Sequence, residues 1–310
     1  MIATLAMAAL GLVILVLAGD ALVRGAVDLA LRLGIPPLIV GLTVVACGTS
    51  APELLVSVKA VLDDAPGIAF GNVVGSNIAN VLLVLGLPAI FATIHCDHSD
   101  TPRSYVLMLL ATGLFIGLCF AGPLGWMHGL VLLTALALVL RDNLRAAVSV
   151  RGDDALPADG SARPWWTIAL LVGIGLVGLP LGAEILVDSA VEIARGLGVS
   201  EAVIGLTLVA LGTSLPELAT SVMAALKGEA DVAMGNVIGS NIFNLLGIVG
   251  VAALVGPMPV PEAMLRLDLW VMLAASLALG LFALAGRVLT RGWGLTLVGG
   301  YLAYVLALLT

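Results

Sequence analysis

Charged residues are scarce in this sequence. Only 11% of its 310 residues are Asp, Glu, Lys or Arg, whereas 61% are hydrophobic, and the mean hydropathy is +1.19. Such a chain has too little polar surface to cover a water-soluble globule, which excludes that class of protein. Apolar segments of roughly 17 to 25 residues recur along the whole length, as in spanning helices and unlike the short strands of an outer-membrane barrel. The composition predicts an all-α, polytopic membrane protein.

Cysteine and histidine are also rare, with three of each. Cys47, Cys96 and Cys119 lie too far apart for a disulfide framework or a zinc site, and we interpret them as small apolar residues. The absence of a Cys/His cluster disfavours a transition-metal site. A positively charged leader is missing at the N-terminus, so the first apolar run is predicted to be a retained helix.

The apolar runs divide the chain into two halves of five. The ten predicted spans lie at about 2–23, 36–62, 66–92, 104–121, 124–141, 165–187, 200–226, 230–256, 264–286 and 293–309. A polar linker, 144–164, separates residues 1–143 from residues 165–310. Because five is odd, the second half must enter the bilayer from the opposite side to the first. The fold prediction is ten transmembrane helices in two inverted five-helix repeats.

Basic residues predict the orientation of these spans. If the N-terminus lies outside, ten basic residues fall in cytoplasmic loops, namely Arg24, Arg32, Arg103, Arg141, Arg145, Arg151, Arg163, Lys227, Arg287 and Arg291. Only Lys59, Arg195 and Arg266 then fall in outer loops. Cytoplasmic loops are enriched in Lys and Arg, so both termini are predicted outside, the linker is predicted to be cytoplasmic, and the protein is assigned to the cell (inner) membrane.

Two motifs each occur twice at one offset. Residues 41–53 read GLTVVACGTSAPE and residues 205–217 read GLTLVALGTSLPE; residues 71–80 read GNVVGSNIAN and residues 235–244 read GNVIGSNIFN. The offset is constant, since 217 − 53 = 164 and 244 − 80 = 164. Inverted halves whose helices are interrupted by Gly and Pro at matching positions indicate a secondary transporter, with its site at the bilayer midplane between the halves.

Each copy of the first motif ends in a glutamate within an apolar run. An ionisable group near the bilayer centre costs at least a few kcal/mol and persists mostly where it meets a cation, a partner or water. A single such glutamate is compatible with a purely structural role. Glu53 and Glu217 occur as a matched pair, and two facing carboxylates repel each other unless a cation lies between them. The pair therefore predicts a cation site.

The residues around the glutamates offer neutral oxygen atoms. Pro52 and Pro216 lack an N–H, so the carbonyls of Gly48 and Gly212 lose their helical partners, although simple proline kinks are common in membrane helices. The predicted side-chain ligands are the hydroxyls of Thr49, Ser50, Thr213, Ser214, Ser76 and Ser240 and the amides of Asn80 and Asn244. Oxygen-only ligation suits Na⁺ and Ca²⁺. Buried asparagines also join helices to each other, and only their repetition beside the glutamates favours ligation.

The second motif adds glycines and further asparagines. Gly71 and Gly75, like Gly235 and Gly239, have the small-xxx-small spacing that lets helix backbones approach closely, and we predict that they pack the asparagine helices against the glutamate helices. The other asparagines of this motif are compatible with capping, packing or support of the ligands, and the sequence leaves these roles open: Asn72, Asn77, Asn236 and Asn241.

At these motifs the chain resembles the calcium/cation antiporter superfamily, and most closely the prokaryotic sodium/calcium exchangers. The family pattern Gly-Thr-Ser-x-Pro-Glu followed by Gly-Asn-x-x-Gly-Ser-Asn is intact in both halves. The resemblance implies that Glu53 and Glu217 are shared Ca²⁺/Na⁺ ligands, that the carbonyls of Ala46 and Ala210 also ligate, and that the first and sixth helices move across a fixed core. Some relatives have aspartate at the position of Asn244, so the site here has two carboxylates.

The predicted function is antiport of Na⁺ and Ca²⁺ by alternating access. The protein is expected to be a transporter and not an enzyme, to need no cofactor, to sit in a lipid bilayer with Ca²⁺ and Na⁺ as its substrates, and to bind no nucleic acid. A proton-coupled cation antiporter and a cation channel remain open alternatives. An intramembrane protease is disfavoured because no histidine lies near Ser50 or Ser214 within a predicted span.

Overall fold

The described part of the chain is built from helices. The structure is a computed structural model that describes residues 2–95, 101–153, 163–197 and 210–309. In these ranges the β pairing consists of two isolated bridges, between Ile94 and Leu289 and between Leu124 and Met258, each of which joins two loops. The prediction of an all-α chain is therefore confirmed for the residues that the structure describes.

Twelve helices are described. They are α1 (Ile2–Leu33), α2 (Pro37–Thr49), α3 (Ala51–Leu62), α4 (Pro66–Phe91), α5 (Thr101–Ala121), α6 (Trp126–Asp153), α7 (Trp165–Gly196), α8 (Ala210–Gly212), α9 (Leu215–Leu226), α10 (Ala230–Val255), α11 (Met264–Ala283) and α12 (Arg291–Leu309). Seven of them, α1, α4, α5, α6, α7, α10 and α11, are long and apolar enough to cross a membrane, and the bent pair α2–α3 makes an eighth. Residues 200–209 of the predicted seventh span, 200–226, lie outside the described residues.

Several helices extend beyond their apolar runs. Helix α1 ends at Leu33, although its predicted span was 2–23, and α6 ends at Asp153, inside the predicted linker. In α1 the charged residues recur on one face, and Arg24 pairs with Asp20 one turn earlier at 2.9 Å. Such i,i+4 pairs keep a helix going past the apolar segment, so hydropathy alone places its end too early.

Helices α4 and α10 form the centre of the molecule. Their most apolar windows are 72% and 83% buried inside the protein, against 22% for α7. The shorter α3 packs against α4, and α9 packs against α10. Each half thus places the helix whose first turn contains its glutamate against the helix that carries its asparagine motif.

Helices α1 and α7 form a closely packed antiparallel pair at the periphery. Gly11 lies against Leu186 and Gly175 against Leu22, so the numbers run in opposite directions. A Cβ at Gly175 would lie 2.4 Å from the Leu22 Cβ, which is too close for any larger residue. Glycines at these crossings let the two backbones approach and make α1 and α7 one packed unit.

Two ion pairs join one end of α1 to the linker and to the second half. Asp20 of α1 contacts Lys227, just beyond the end of α9, at 2.6 Å, and Asp28 contacts Arg163, before α7, at 2.8 Å. Both acidic side chains are mostly buried, with 22% and 17% exposure, so water screens these pairs less than fully exposed ones. The first pair holds α1 against the end of α9, and the second holds it against the segment before α7.

The helices are interrupted beside both glutamates. Between α2 and α3 the backbone leaves helical geometry at Ser50 (φ −84°, ψ 7°) and the axis bends by 44°; Ser214 has nearly the same angles, φ −88° and ψ 1°. Proline is the second residue of the helix that follows in each case, where its missing N–H costs little. Wider π-helical turns lie nearby, over Gly41–Val45, Asn80–Val84 and Phe243–Ile248.

Glycines of the second asparagine motif let α10 approach α2. A Cβ at Gly235 would lie 2.5 Å from the Leu38 carbonyl oxygen, and one at Gly239 would lie 2.6 Å from that of Leu42. These contacts agree with the predicted packing role of Gly235 and Gly239. For Gly71 and Gly75 the residues at the corresponding offset, 202–209, lie outside the described part of the chain, so their role stays a prediction.

Candidate functional site

The two glutamates are buried at matching places. Glu53 lies in the first turn of α3 and Glu217 in the first turn of α9, and each is 1% exposed. A helix N-terminus favours negative charge, which explains their position in part. In the described part of the chain, no Lys, Arg or His forms a salt bridge with either carboxylate. Two buried carboxylates without a basic partner require another source of positive charge.

The serines at the interruptions reach across to the other half. The Ser50 hydroxyl donates a hydrogen bond of 3.0 Å to Oε1 of Glu217. The Ser214 hydroxyl lies 3.4 Å from the Ser76 Oγ, a longer contact. All of these side chains are buried. The two halves therefore meet at the motif residues, but with different partners on the two sides.

Asn72 of α4 links the first glutamate to the other half. Its amide nitrogen donates to the Glu53 carbonyl at 3.1 Å and to the Ser57 hydroxyl at 2.9 Å. Its amide oxygen accepts a hydrogen bond of 3.3 Å from the Thr213 hydroxyl. One side chain thus contacts both a glutamate backbone and a predicted ligand of the opposite half.

Asn236 of α10 makes the same set of contacts around the second glutamate. Its amide nitrogen donates to the Glu217 carbonyl at 3.2 Å and to the Ser221 hydroxyl at 3.1 Å. Its amide oxygen accepts a hydrogen bond of 3.3 Å from the Thr49 hydroxyl. The side chains of these four residues, Asn236, Glu217, Ser221 and Thr49, are fully or almost fully buried. The arrangement is reciprocal between the halves.

Asn80 and Asn244, the two predicted amide ligands, lie where α4 and α10 widen into π-helical turns. Asn80 begins one such turn and Asn244 lies in the other. Helix α9 packs against Asn80–Val84, and α3 packs against Phe243–Ile248. The Asn80 amide nitrogen donates to the Asn241 oxygen at 3.1 Å. Single π-helical turns occur often at functional sites because they reorient side chains within a helix.

Buried polar atoms without a hydrogen-bond partner are concentrated at this site. Among the described residues, such side-chain atoms are Oε1 and Oε2 of Glu53, Oε2 of Glu217, Oδ1 of Asn77, Oδ1 of Asn80, Oγ of Ser240, and Oδ1 and Nδ2 of Asn244. Leaving a buried polar group without a partner costs about 1–3 kcal/mol, and more for a charge. Seven of these eight atoms are oxygens on α3, α4, α9 or α10. This oxygen-rich cluster suits a hard cation.

The comparison with known proteins agrees with this chemistry. A family model described as sodium/calcium exchanger protein matches residues 3–141 and 167–310. The chain belongs to the sodium/calcium exchanger family. The sodium/calcium exchanger MaX1 of Methanosarcina acetivorans is 34% identical over 96% of each chain, and the inner membrane protein YrbG of Escherichia coli is 37% identical over 98% of this chain and 96% of its own.

Solved structures support the same assignment of this exchanger. A structure of the sodium-calcium exchanger NCX_Mj, soaked with zero Na⁺ and Ca²⁺, is 35% identical, covers 97% of each chain and superposes with a TM-score of 0.86. The chain is thus a prokaryotic member of the calcium/cation antiporter superfamily, a multi-pass membrane protein and an ion exchanger, not an enzyme. The resemblance inferred from the two double motifs is confirmed.

The exchanger's predicted ligands do not all have the same surroundings. Both glutamates, Asn80, Asn244 and Ser240 carry oxygen atoms without a protein partner. Thr49, Thr213, Ser50, Ser214 and Ser76 make the hydrogen bonds described above. The Ala46 carbonyl already accepts a bond from the Ser50 N–H at 3.1 Å, and the Thr49 hydroxyl, whose one proton goes to the nearer Asn236 oxygen, lies 3.4 Å from it. Ala210 begins α8, directly after residues outside the described part. The ligand set as a whole stays a prediction.

Sequence reasoning left part of the exchanger's site without a role. The motifs assign no single role to Asn72 and Asn236, and Ser57 and Ser221 lie outside both motifs. All four obey the same offset, since 221 − 57 = 164 and 236 − 72 = 164. Repetition of a polar pair at that offset within apolar segments is the sequence signal that identifies them. Asn77, whose Oδ1 lacks a partner, was also undecided.

Proposed function

We propose that this protein exchanges Na⁺ for Ca²⁺ across the membrane by alternating access. The observation that carries the proposal is the buried oxygen cluster around Glu53 and Glu217, which has two carboxylates and no basic partner among the described residues. Two ionised carboxylates match the charge of one Ca²⁺ or of two Na⁺. Since both ions need the same carboxylates, their binding is mutually exclusive, which couples their fluxes.

The neutral oxygens favour Ca²⁺ among divalent ions. Ca²⁺ accepts six to eight oxygen ligands in flexible geometry, whereas Mg²⁺ needs nearly octahedral ligation and releases water reluctantly. In this proposal the hydroxyls of Thr49, Thr213, Ser50, Ser214, Ser76 and Ser240, the amides of Asn80 and Asn244 and the carbonyls of Ala46 and Ala210 complete the ion ligands. No resident cofactor is required, because the ions are the substrates.

The proposal includes ten spans in two inverted repeats, 1–143 and 165–310. The reciprocal contacts of Asn72 and Asn236 support this arrangement, because the same bonds recur at the 164-residue offset. Alternating access in such transporters takes place largely by rigid-body motion of one bundle against another. The tightly packed and peripheral pair α1–α7 is the proposed moving unit.

We place the exchanger in the inner membrane with both termini outside. The ten-to-three distribution of basic residues supports this orientation, and one relative is named an inner membrane protein. Cysteine-accessibility labelling in intact cells tests it. A cysteine placed at the linker, at Asp159, should resist an impermeant reagent, whereas one placed at Thr310 should react.

A proton-coupled cation antiporter is the second candidate. Buried carboxylates without basic partners can bind protons as well as metal ions.

A cation channel is the third candidate function, in which the glutamates form a selectivity filter. It predicts single-channel conductance in bilayer recordings, far above the turnover of a transporter.

Uptake of ⁴⁵Ca²⁺ into proteoliposomes distinguishes these functions. Purified protein is reconstituted with internal Na⁺, K⁺ or a pH gradient, and uptake is measured against empty liposomes. We expect an outward Na⁺ gradient to drive uptake and K⁺ to leave it at background. Uptake driven by a pH gradient in the absence of Na⁺ would replace the sodium proposal with proton coupling.

Neutralising either glutamate tests the site itself. Glu53→Gln and Glu217→Gln each remove one of the two charges that hold Ca²⁺, so Na⁺-driven uptake should fall at least 100-fold while the protein stays folded in the membrane. Glu262→Gln is the matched control, because Glu262 is 78% exposed and pairs only with Arg266 in the described structure. Wild-type exchange in either buried variant would refute the site.

A further inference from the structure

Asn72 and Asn236 make the same pattern of hydrogen bonds, although neither is among the predicted ion ligands. Each asparagine holds the backbone carbonyl of the glutamate in its own half, and each accepts the hydroxyl proton of a threonine in the other half. The two Asn–Thr distances are both 3.3 Å. The two Asn–Glu distances are 3.1 and 3.2 Å. Two independent copies of one geometry indicate a defined role.

The chemistry of these side chains suggests what that role is. A threonine hydroxyl has one proton and two lone pairs. When the proton is donated to an asparagine, the lone pairs are left for a cation, and rotation of the hydroxyl is restricted. The amide nitrogen of the same asparagine fixes the first turn of the glutamate helix through its carbonyl. A neutral amide can make both contacts at once because it donates and accepts.

We propose that Asn72 and Asn236 are positioning residues that couple each glutamate to the threonine ligand of the opposite half. Asn72 couples Glu53 to Thr213, and Asn236 couples Glu217 to Thr49. In this arrangement the ligands that meet a cation from the two halves are held at a fixed separation by one side chain. The proposal rests on the proposed function and assigns these asparagines no direct contact with the ion.

A double-mutant cycle tests this coupling. KM and kcat for Ca²⁺ are measured in proteoliposomes for Asn72→Ala, Thr213→Val and the double variant. Each single change should raise KM about tenfold with a smaller effect on kcat, and the double change should raise it little further, because both remove the same bond. Thr213→Ser keeps the hydroxyl and should restore at least half of the affinity that Thr213→Val loses.

The crossed pair is the matched control. Asn236 bonds to Thr49 and not to Thr213, so Asn236→Ala and Thr213→Val should act independently, and their effects on KM should multiply. The second cycle, Asn236→Ala with Thr49→Val, should repeat the non-multiplicative result. The proposal would be overturned if the changes in KM caused by Asn72→Ala and Thr213→Val multiplied as they do in the crossed pair. It would also be overturned if Thr213→Ser raised KM as much as Thr213→Val.

Two further measurements keep the outcome unambiguous. If Asn72→Ala does not fold, the nearly isosteric Asn72→Asp replaces it; its carboxylate still accepts the Thr213 hydroxyl, so adding Thr213→Val must now raise KM further. The rise in melting temperature on adding Ca²⁺ is measured for every purified variant. If Ca²⁺ stabilises the wild-type protein but no Na⁺-driven uptake is measured, the proposed function is wrong. The double-mutant cycle is then evaluated from the rise in melting temperature on adding Ca²⁺, and this still tests the coupling between asparagine and threonine.

Discussion

Replacement of Gly239 by alanine should impair transport by displacing one side of the ion site. A Cβ at this position would lie 2.6 Å from the Leu42 carbonyl oxygen and 2.7 Å from the Ala46 Cβ. Ordinary contacts begin at about 3.4 Å, so α10 must move by about 3.4 − 2.6 = 0.8 Å away from α2. The first contact is with backbone, so no flexible side chain can absorb this movement.

The displaced helix carries ligands of the proposed site. Ser240 follows Gly239 directly, and Asn244 lies about one turn beyond it on α10. Misplacement of reacting groups by about 1 Å can cost about 100-fold in rate, and overpacking a core typically costs 1–3 kcal/mol of stability. We therefore expect Gly239→Ala to reduce Na⁺-driven ⁴⁵Ca²⁺ uptake about 10- to 100-fold, with a lowered melting temperature.

Gly113→Ala is the matched control for this change. Gly113 lies on an exposed face of α5, and no described atom lies within 4 Å of an added Cβ. Gly113→Ala is also a glycine-to-alanine change within a helix, and it should leave ⁴⁵Ca²⁺ uptake within about twofold of wild type. Wild-type uptake and stability in Gly239→Ala would show that α2 and α10 separate without cost, which would refute the reasoning from close packing.

Three other variants test separate contacts. Ser50→Ala removes a hydrogen bond to a buried carboxylate, worth about 1.5–3 kcal/mol, so KM for Ca²⁺ should rise tenfold or more. Ser214→Ala loses only the longer 3.4 Å contact and should raise KM less. Equal effects of the two variants would contradict the difference between the two serine contacts. Asn80→Ala and Asn244→Ala remove neutral groups and should reduce uptake by about tenfold, less than either glutamate variant, and a complete loss would show a larger role. Lys227→Glu places a carboxylate against Asp20 and should lower the melting temperature more than Lys227→Gln; the reverse order would show that this ion pair does not hold α1.

The sequence predicted the grouping of the motif residues better than the ends of the helices. Polar residues within apolar runs are costly, so their repetition at one offset is a strong signal. The structure packs the helices of Glu53 and Glu217 against those of the asparagine motifs, and the role of these residues as ion ligands stays a prediction. Helix ends depend on local ion pairs such as Asp20–Arg24. A hydropathy profile scores both charged residues as unfavourable for a membrane span, so it places the end of the helix before them. For that reason α1 continues for ten residues beyond its predicted end.

The pattern of hydrogen bonds could not be read from the motifs. Ser50 and Ser214 occupy identical places in the two motifs, yet one contacts a glutamate and the other a serine. That difference depends on how the halves pack against each other, which a repeated sequence does not encode. The role of Asn72 was likewise undecidable, because its partner Thr213 is 141 residues away along the chain.

The ion pair between Asp20 and Lys227 makes the two faces of the protein electrically unequal. At the 164-residue offset their counterparts are Glu184 and Asp63, since 20 + 164 = 184 and 227 − 164 = 63. Both counterparts are acidic and cannot form that ion pair with each other; Asp63 instead pairs with Lys59, one turn earlier, at 2.6 Å. A motion that interchanged the roles of the halves would therefore lose the Asp20–Lys227 attraction without gaining an equivalent one, and salt at that membrane surface would reduce the difference.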